Sequence, residues 1–246
     1  MQTRPVQPTL IDELPGFRRR FLLTPAPDRV SCEVEDDYHC MGVTVHHDGK
    51  LATRVEAVMQ RAPWTTCPGA VAMLGQTFTG VPLDAFPRRG EKQTNCTHLH
   101  DLAVLAATHA FDQQPLVYDI LVSDPVEGRR YAQLRRDGTS VLAWVHYRGR
   151  LIEPEELAGV PLDKLRPWID SLDPAGQEAA RLLRWGTILA GGRTNGWDKQ
   201  TDSSRLPVGN CYTFQPERMD AARHIGAIRD FSRGTLQPLE EHRPAP

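Results

Sequence analysis

The chain has 246 residues, 40% of them apolar and 24% charged, with a formal charge of −2. That composition supports a large buried core and excludes wholesale disorder. It gives no electrostatic reason to expect nucleic acid or an anionic membrane as partner, and the run Arg18-Arg19-Arg20 is too short to change this. No stretch approaches the roughly eighteen apolar residues of a membrane helix. Met1 to Pro15 is polar and Pro-rich, without the apolar core of a secretory signal. Five cysteines is an odd number, so the expectation is reduced thiols in the cytoplasm and not a disulfide framework.

In chain order, residues 1–16 and 235–246 read as flexible tails around a single α+β domain over 17–234. The first strands are Phe17–Leu23, Val30–Asp36, His39–His46 and Leu51–Arg61. Val30, Cys32 and Val34 alternate on even numbers, whereas Met41, Val43 and Val45 alternate on odd ones. A strand has period two, so a turn or bulge must fall between Asp36 and His39. The next connection reads as a three-residue loop, His47-Asp48-Gly49, pairing Val45 with Leu51, Val43 with Thr53 and Met41 with Val55. This places Gly49 in the left-handed region, His47 at an exposed tip, His46 on the solvent face and His39 on the apolar face.

Two helices follow, from Cys67-Pro68 to Thr79 and from Thr97 to Phe111, the first with Pro at its start. A second meander comprises Leu116–Val122, Arg129–Arg136, an Asp137-Gly138 hairpin and Ser140–Tyr147. Helices over Leu162–Ser171, Pro174–Ala190 and Pro216–Ser232 complete the pattern, with Asp173 and Gln215 at cap positions. The fold class is therefore α+β: mainly antiparallel sheet from two meanders, packed with about five helices. The loop from Gly191 to Asn210 is long for a compact domain and is expected to border a ligand cavity.

Three groups of residues stand out chemically. If Asp37-Tyr38 closes a tight turn, Asp36 and His39 sit opposite each other on the apolar face. A carboxylate beside a desolvated imidazole fixes the ring's tautomer and raises its basicity, as a general base requires. The bland alternative is a strand-end pair at the rim of the core. Cys67 and Cys96 each precede a helix, where backbone N–H groups favour a thiolate, and His98 and Asp101 lie one turn apart beyond Cys96. A Cys–His nucleophile can be drawn from these residues, with buried inert thiols as the alternative. No Cys-x-x-Cys or His-Glu-x-x-His spacing favours a metal, and no metal or organic cofactor is expected. Last, Arg193, Asn195, Trp197, Asp198 and Lys199, with Asn210-Cys211-Tyr212, suit a lid over an aromatic or anionic small molecule, against a merely solvated loop.

Glu35-Asp36-Asp37-Tyr38-His39, Pro63-Trp64-Thr65-Thr66-Cys67-Pro68-Gly69-Ala70, Cys96-Thr97-His98-Leu99 and Asn210-Cys211-Tyr212-Thr213-Phe214 together resemble the bacterial domain-of-unknown-function family 2889. The resemblance spans residues 17–232 and implies which residues matter without implying an activity. Its implied setting is the breakdown of aromatic or other hydrophobic compounds. Where the family pattern has a second His after the first, and a Gly before the Cys-Thr-His-Leu run, this chain has Cys40 and Asn95. That weakens any metal site needing the extra imidazole.

The reading that joins these observations is a cofactor-independent lyase of a hydrophobic, aromatic, hydroxylated small molecule, working by retro-aldol C–C cleavage or elimination. His39 is its base, Asp36 the orienting group, and His98 or Tyr212 the donor. Trp64, Cys67, Cys96, Arg193, Trp197, Lys199 and Cys211 would line the substrate site. A Cys-dependent thioester or ester hydrolase and a non-catalytic small-ligand or metal-binding domain are the alternatives. The expected partner is the substrate alone, with neither nucleic acid nor membrane; a homodimer is left open.

Overall fold

The computed structural model describes residues 10–194, 196, 201, 203 and 206–241. In chain order the elements are α1 (Leu10–Glu13), β1 (Gly16–Ala26), β2 (Arg29–Asp36), β3 (Cys40–His47), β4 (Ala52–Arg61), α2 (Val71–Phe78), α3 (Thr97–Thr108), β5 (Leu116–Ser123), β6 (Arg129–Arg136), β7 (Thr139–Tyr147), β8 (Arg150–Glu153), α4 (Arg166–Asp170), α5 (Pro174–Ala190) and α6 (Pro216–Met219). The strands form one antiparallel sheet in the order β4-β3-β2-β1-β5-β6-β7-β8. The α+β class expected from short hairpins is therefore present. No helix among the described residues is long and apolar enough to cross a membrane.

The chain divides into two compact units. One comprises residues 1–20, 117–197 and 230–246, the other residues 21–116 and 198–229. In the second, α3 packs on β2 and β3, and α2 on β4. Val30, Cys32 and Val34 pair with Val45, Val43 and Met41 and are all buried. The β3–β4 register differs from the expected one by four residues: Val45 faces Val55, Val43 faces Ala57 and Met41 faces Met59. A shift of four preserves parity, so the inward face is unchanged although every pair is new. The loop is longer because Asp48 folds it, its carboxylate accepting the N–H groups of Lys50 at 2.9 Å and Leu51 at 2.8 Å. Gly49 takes the expected positive φ of 94°. His47 is not the exposed tip that a three-residue loop would make it. It is buried, edge-on to Phe111 with ring centroids 5.6 Å apart.

In the first unit α5 packs on β6 and β7. Asp173 caps it as expected, accepting the Gly176 N–H at 2.7 Å. Gly186 allows close approach to β5, because a Cβ there would lie 2.6 Å from Ile120. Part of the expected N-terminal tail is ordered: Arg18 donates to the carbonyl oxygens of Ile11 at 3.1 Å and Leu14 at 2.8 Å. The sequence reading also missed β8, a four-residue edge strand with little pattern to show. The last expected helix, Pro216–Ser232, is overturned. Only Pro216–Met219 is helical, and the chain beyond runs extended, Ile225 N–H bonding to Pro63 O at 2.8 Å and Arg229 N–H to Asp37 O at 2.9 Å.

His146 on β7 is buried opposite Arg130, with neither ring nitrogen hydrogen-bonded, and Leu151 of β8 on its other side. Burial, then the Arg130 guanidinium, push its pKa down from 6.5 to about 4. Arg130 itself is held by the carbonyls of Ser123 and Ala190 and by Thr194 Oγ1, so its charge stays in place. A depressed histidine pKa means the unfolded chain binds the proton first. The associated stability is present above about pH 6.5 and is lost as pH falls toward 4. Urea unfolding at pH 7 and pH 5 should therefore show the wild type losing about 1 kcal/mol more than His146→Leu. Equal losses would show that His146 is solvated or paired.

Candidate active site

The candidate site is built in the second unit, where β2 turns into β3. Asp36 N–H donates to His39 O at 2.9 Å, closing the Asp37-Tyr38 turn that the parity switch requires. Asp36 Oδ1 accepts the backbone N–H groups of Tyr38 at 2.7 Å and His39 at 2.8 Å. His39 Nδ1 lies 3.0 Å from the same oxygen and 3.2 Å from Oδ2. The carboxylate is fully buried and the imidazole 2% exposed. An acceptor-only group facing Nδ1 requires the proton there, which leaves Nε2 as the basic nitrogen of the neutral ring.

The surrounding charges are organised by β4. A bulge between Cys40 and Met41 sets Cys40 opposite Arg61 and Met41 opposite Met59. Arg61 Nη2 thereby reaches the turn from below, donating to Glu35 Oε1 at 3.1 Å, Asp36 O at 2.6 Å and His39 O at 3.2 Å. Arg229 adds a second cation to Glu35 at 3.4 Å. Glu35, Asp36 and Asp37 are all buried, and three adjacent carboxylates can stay there only beside cations and hydrogen-bond donors. Arg61 and Arg229 were not among the residues expected at the site, and Glu35 stood only in a motif with no role given to it. The signal was available: a run of three acids inside an apolar strand pattern demands cations from elsewhere.

Helix α3 supplies the second imidazole. Its packing on β2 and β3 sets the half-buried His98 ring over His39, centroids 4.0 Å apart and planes at 29°. Asp101, expected to share a side with His98, instead binds Lys92 at 2.6 Å.

Cys96 is the residue before α3, as expected, yet it is no thiolate. Burial pushes its pKa up to about 12, outweighing the backbone N–H groups of Leu99 and His98. Burial also raises Cys67 and Cys211, and the three thiols lie near enough to disfavour each other's ionisation. Cys67 Sγ is 3.3 Å from Thr213 Oγ1. All five cysteines are unpaired by disulfides. Among the described residues no three His, Cys, Asp or Glu side chains are arranged to hold a metal ion.

Trp64 is buried edge-on between Phe214 at 5.6 Å and His224 at 5.3 Å, so most of its ring is committed to protein. Tyr212 N–H bonds to Asn95 O at 2.9 Å, tying the motif of residues 210–214 to the start of α3. Its phenol occupies space that only a glycine at 69 leaves, since a Cβ there would lie 2.7 Å from Tyr212 Oη. The Arg218 guanidinium covers the ring at 3.9 Å. Arg193 belongs to the other unit, where Asp124 at 3.0 Å and Asp230 at 3.2 Å engage it in a structural ion-pair network. Asn195, Trp197, Asp198 and Lys199, the expected lid residues, lie outside the described residues.

The fold and this cluster define an α+β protein with a buried carboxylate–imidazole pair and a stacked second imidazole, and with three protonated thiols in the same unit. Residues 23–112 match the model of a family described as Protein of unknown function (DUF2889). That stretch contains the Glu35–His39, Pro63–Ala70 and Cys96–Leu99 motifs, so the resemblance read from them is shown there; the Asn210–Phe214 motif lies beyond it. The family description assigns no activity. No curated protein matches the sequence.

Asp36→Ala removes the acceptor of three N–H groups and should lower the unfolding free energy by about 2–4 kcal/mol. Asp36→Asn keeps one oxygen for the backbone donors and should cost less. Chemical denaturation of both variants checks this, and an alanine variant as stable as the wild type would show that the carboxylate does not hold the turn.

Proposed function

We propose that this protein is an acid–base enzyme working without an organic cofactor, a lyase acting on a hydrophobic, hydroxylated small molecule by retro-aldol cleavage or elimination. One observation carries the reading. A fully buried carboxylate fixes Nδ1 of His39, and a second imidazole, on His98, stacks on the same ring. In the retro-aldol case Nε2 of His39 takes the proton of the substrate hydroxyl. The C–C bond breaks as the new carbonyl forms, and its electron pair is held by the adjacent carbonyl as an enolate. The same proton then returns to the carbon that keeps the pair, so atoms and charge balance. His98, the more exposed ring of the stack, is the group a substrate meets on its way to His39 and the nearby donor for the developing oxyanion. The raised thiols argue against the alternative of a cysteine nucleophile, because a protonated thiol is a poor one.

The test is a panel of β-hydroxy carbonyl compounds with aromatic substituents, assayed for carbonyl products. Wild-type protein should cleave some of them. His39→Ala and Asp36→Asn should each lower turnover by about two orders of magnitude or more, and their double variant should be little worse than the worse single. Cys96→Ala should retain most turnover. Activity that survives in His39→Ala, or that vanishes with Cys96 in a folded protein, contradicts the mechanism.

A further inference from the structure

Far in sequence from the imidazole pair, the first unit contains a second candidate site on the sheet face away from α5. Residues paired across antiparallel strands project to one side. Tyr131 of β6 faces Val145 of β7, and Val145 faces Glu153 of β8, so the three form a row across the strands. Gln133 and Ala143 form the next row on that side. Trp144 points the other way, its indole Nε1 bonded to Thr187 of α5. Helix α1 packs on β6 and brings the buried Ile11 against the rows. These side chains line a cavity of about 140 Å³.

Glu153 reaches this side only through a bulge. His146 faces Leu151, so an unbroken ladder would set Ile152 opposite Val145 and turn Glu153 to the other face, with the buried Leu151. The register shifts instead between Val145 and His146, which sets Glu153 opposite Val145. Bulges re-aim side chains in this way beside functional sites. Val145 and Ala143 form an apolar floor, the small Ala143 leaving room between larger neighbours. Gln133 is a fixed wall, its amide donating to Ser140 Oγ at 3.0 Å and accepting from Arg135 Nε at 2.7 Å. Tyr131 and Glu153 are both half-buried and stand two strand spacings apart, roughly 10 Å at Cα. Among the described residues neither the Tyr131 hydroxyl nor the Glu153 carboxylate has a hydrogen-bond or ion-pair partner. An ordinary surface glutamate extends into water. This one is turned onto an apolar floor, where a carboxylate favours a cation.

We propose that this cavity binds a small organic ammonium ion, its charge on the Glu153 carboxylate and its carbon frame over Val145 and Ala143, beside the Tyr131 ring. An acceptor-only carboxylate selects a charged N–H donor over a neutral hydroxyl. An apolar cavity of about 150 Å³ holds one molecule the size of benzene, which sets the size of the frame. The proposal is independent of the His39 chemistry.

NMR titration of the full chain with benzylamine and with its neutral isostere benzyl alcohol, at neutral pH and constant ionic strength, tests it. Benzylamine should bind saturably, shifting the amide signals of Ala143 and Val145, and about tenfold more tightly than benzyl alcohol. Glu153→Gln keeps the shape of the side chain and should weaken benzylamine about tenfold while leaving the weaker binding of benzyl alcohol unchanged. Ala143→Leu fills the floor and should abolish binding of both. The proposal is overturned by no saturable benzylamine binding to the wild type, by equal affinity for the two compounds, or by benzylamine affinity unchanged in Glu153→Gln. Benzylamine binding that survives in folded Ala143→Leu lies elsewhere and overturns it as well. The comparison of the two compounds on the wild type decides the matter even where a variant fails to fold.

Discussion

One carboxylate organises the candidate site. Asp36 accepts two backbone N–H groups and one imidazole N–H while lying wholly out of solvent. Each acceptance serves a different level of structure. The backbone bonds define the turn that lets β2 and β3 change parity while keeping their apolar residues on one face. The imidazole bond defines which nitrogen of His39 carries its proton. Fold and chemistry therefore depend on the same two oxygens, and the geometry that positions the base is the geometry that joins the strands.

The cost of that arrangement is spread over neighbouring elements. A buried carboxylate is tolerated only with donors and compensating charge, and Glu35 and Asp37 beside it enlarge the need. The β4 bulge meets it by presenting Arg61, whose one nitrogen contacts Glu35 and the carbonyls of Asp36 and His39. The extended segment beyond α6 adds Arg229, which bonds Asp37 through its backbone and Glu35 through its side chain. The buried thiols of the same unit follow the opposite logic. The donors there are outweighed by desolvation, which keeps the thiols protonated, and they pack as small apolar groups.

How much of this was legible in the sequence depended on how local the governing interaction was. The β2–β3 turn follows from Val34 and Met41 having opposite parity, and the structure has it. The β3–β4 pairing was misread because two registers four residues apart bury the same side chains. The choice between them rests on the Asp48 side chain folding the loop and on the bulge between His46 and His47 that follows it, neither of which alternation reveals. The expected last helix failed for a related reason: residues 220–232 gain more by pairing with Pro63, Thr65 and Asp37 than by continuing α6. At the site, the Asp36–His39 pair was readable because its members are near neighbours. The His98 stack and the Arg61 clasp were not, since each depends on tertiary packing between elements distant in sequence.

The central claim is that Asp36 holds the proton of His39 on Nδ1 and leaves Nε2 free to act. The most direct measurement is ¹⁵N-correlated NMR of the histidine side chains in wild-type protein and Asp36→Asn, which distinguishes the two neutral tautomers and the protonated ring. The account predicts that neutral His39 is the Nδ1–H tautomer in the wild type and that this preference weakens in Asp36→Asn. A wild-type His39 carrying its proton on Nε2, or a tautomer unchanged by Asp36→Asn, would contradict it.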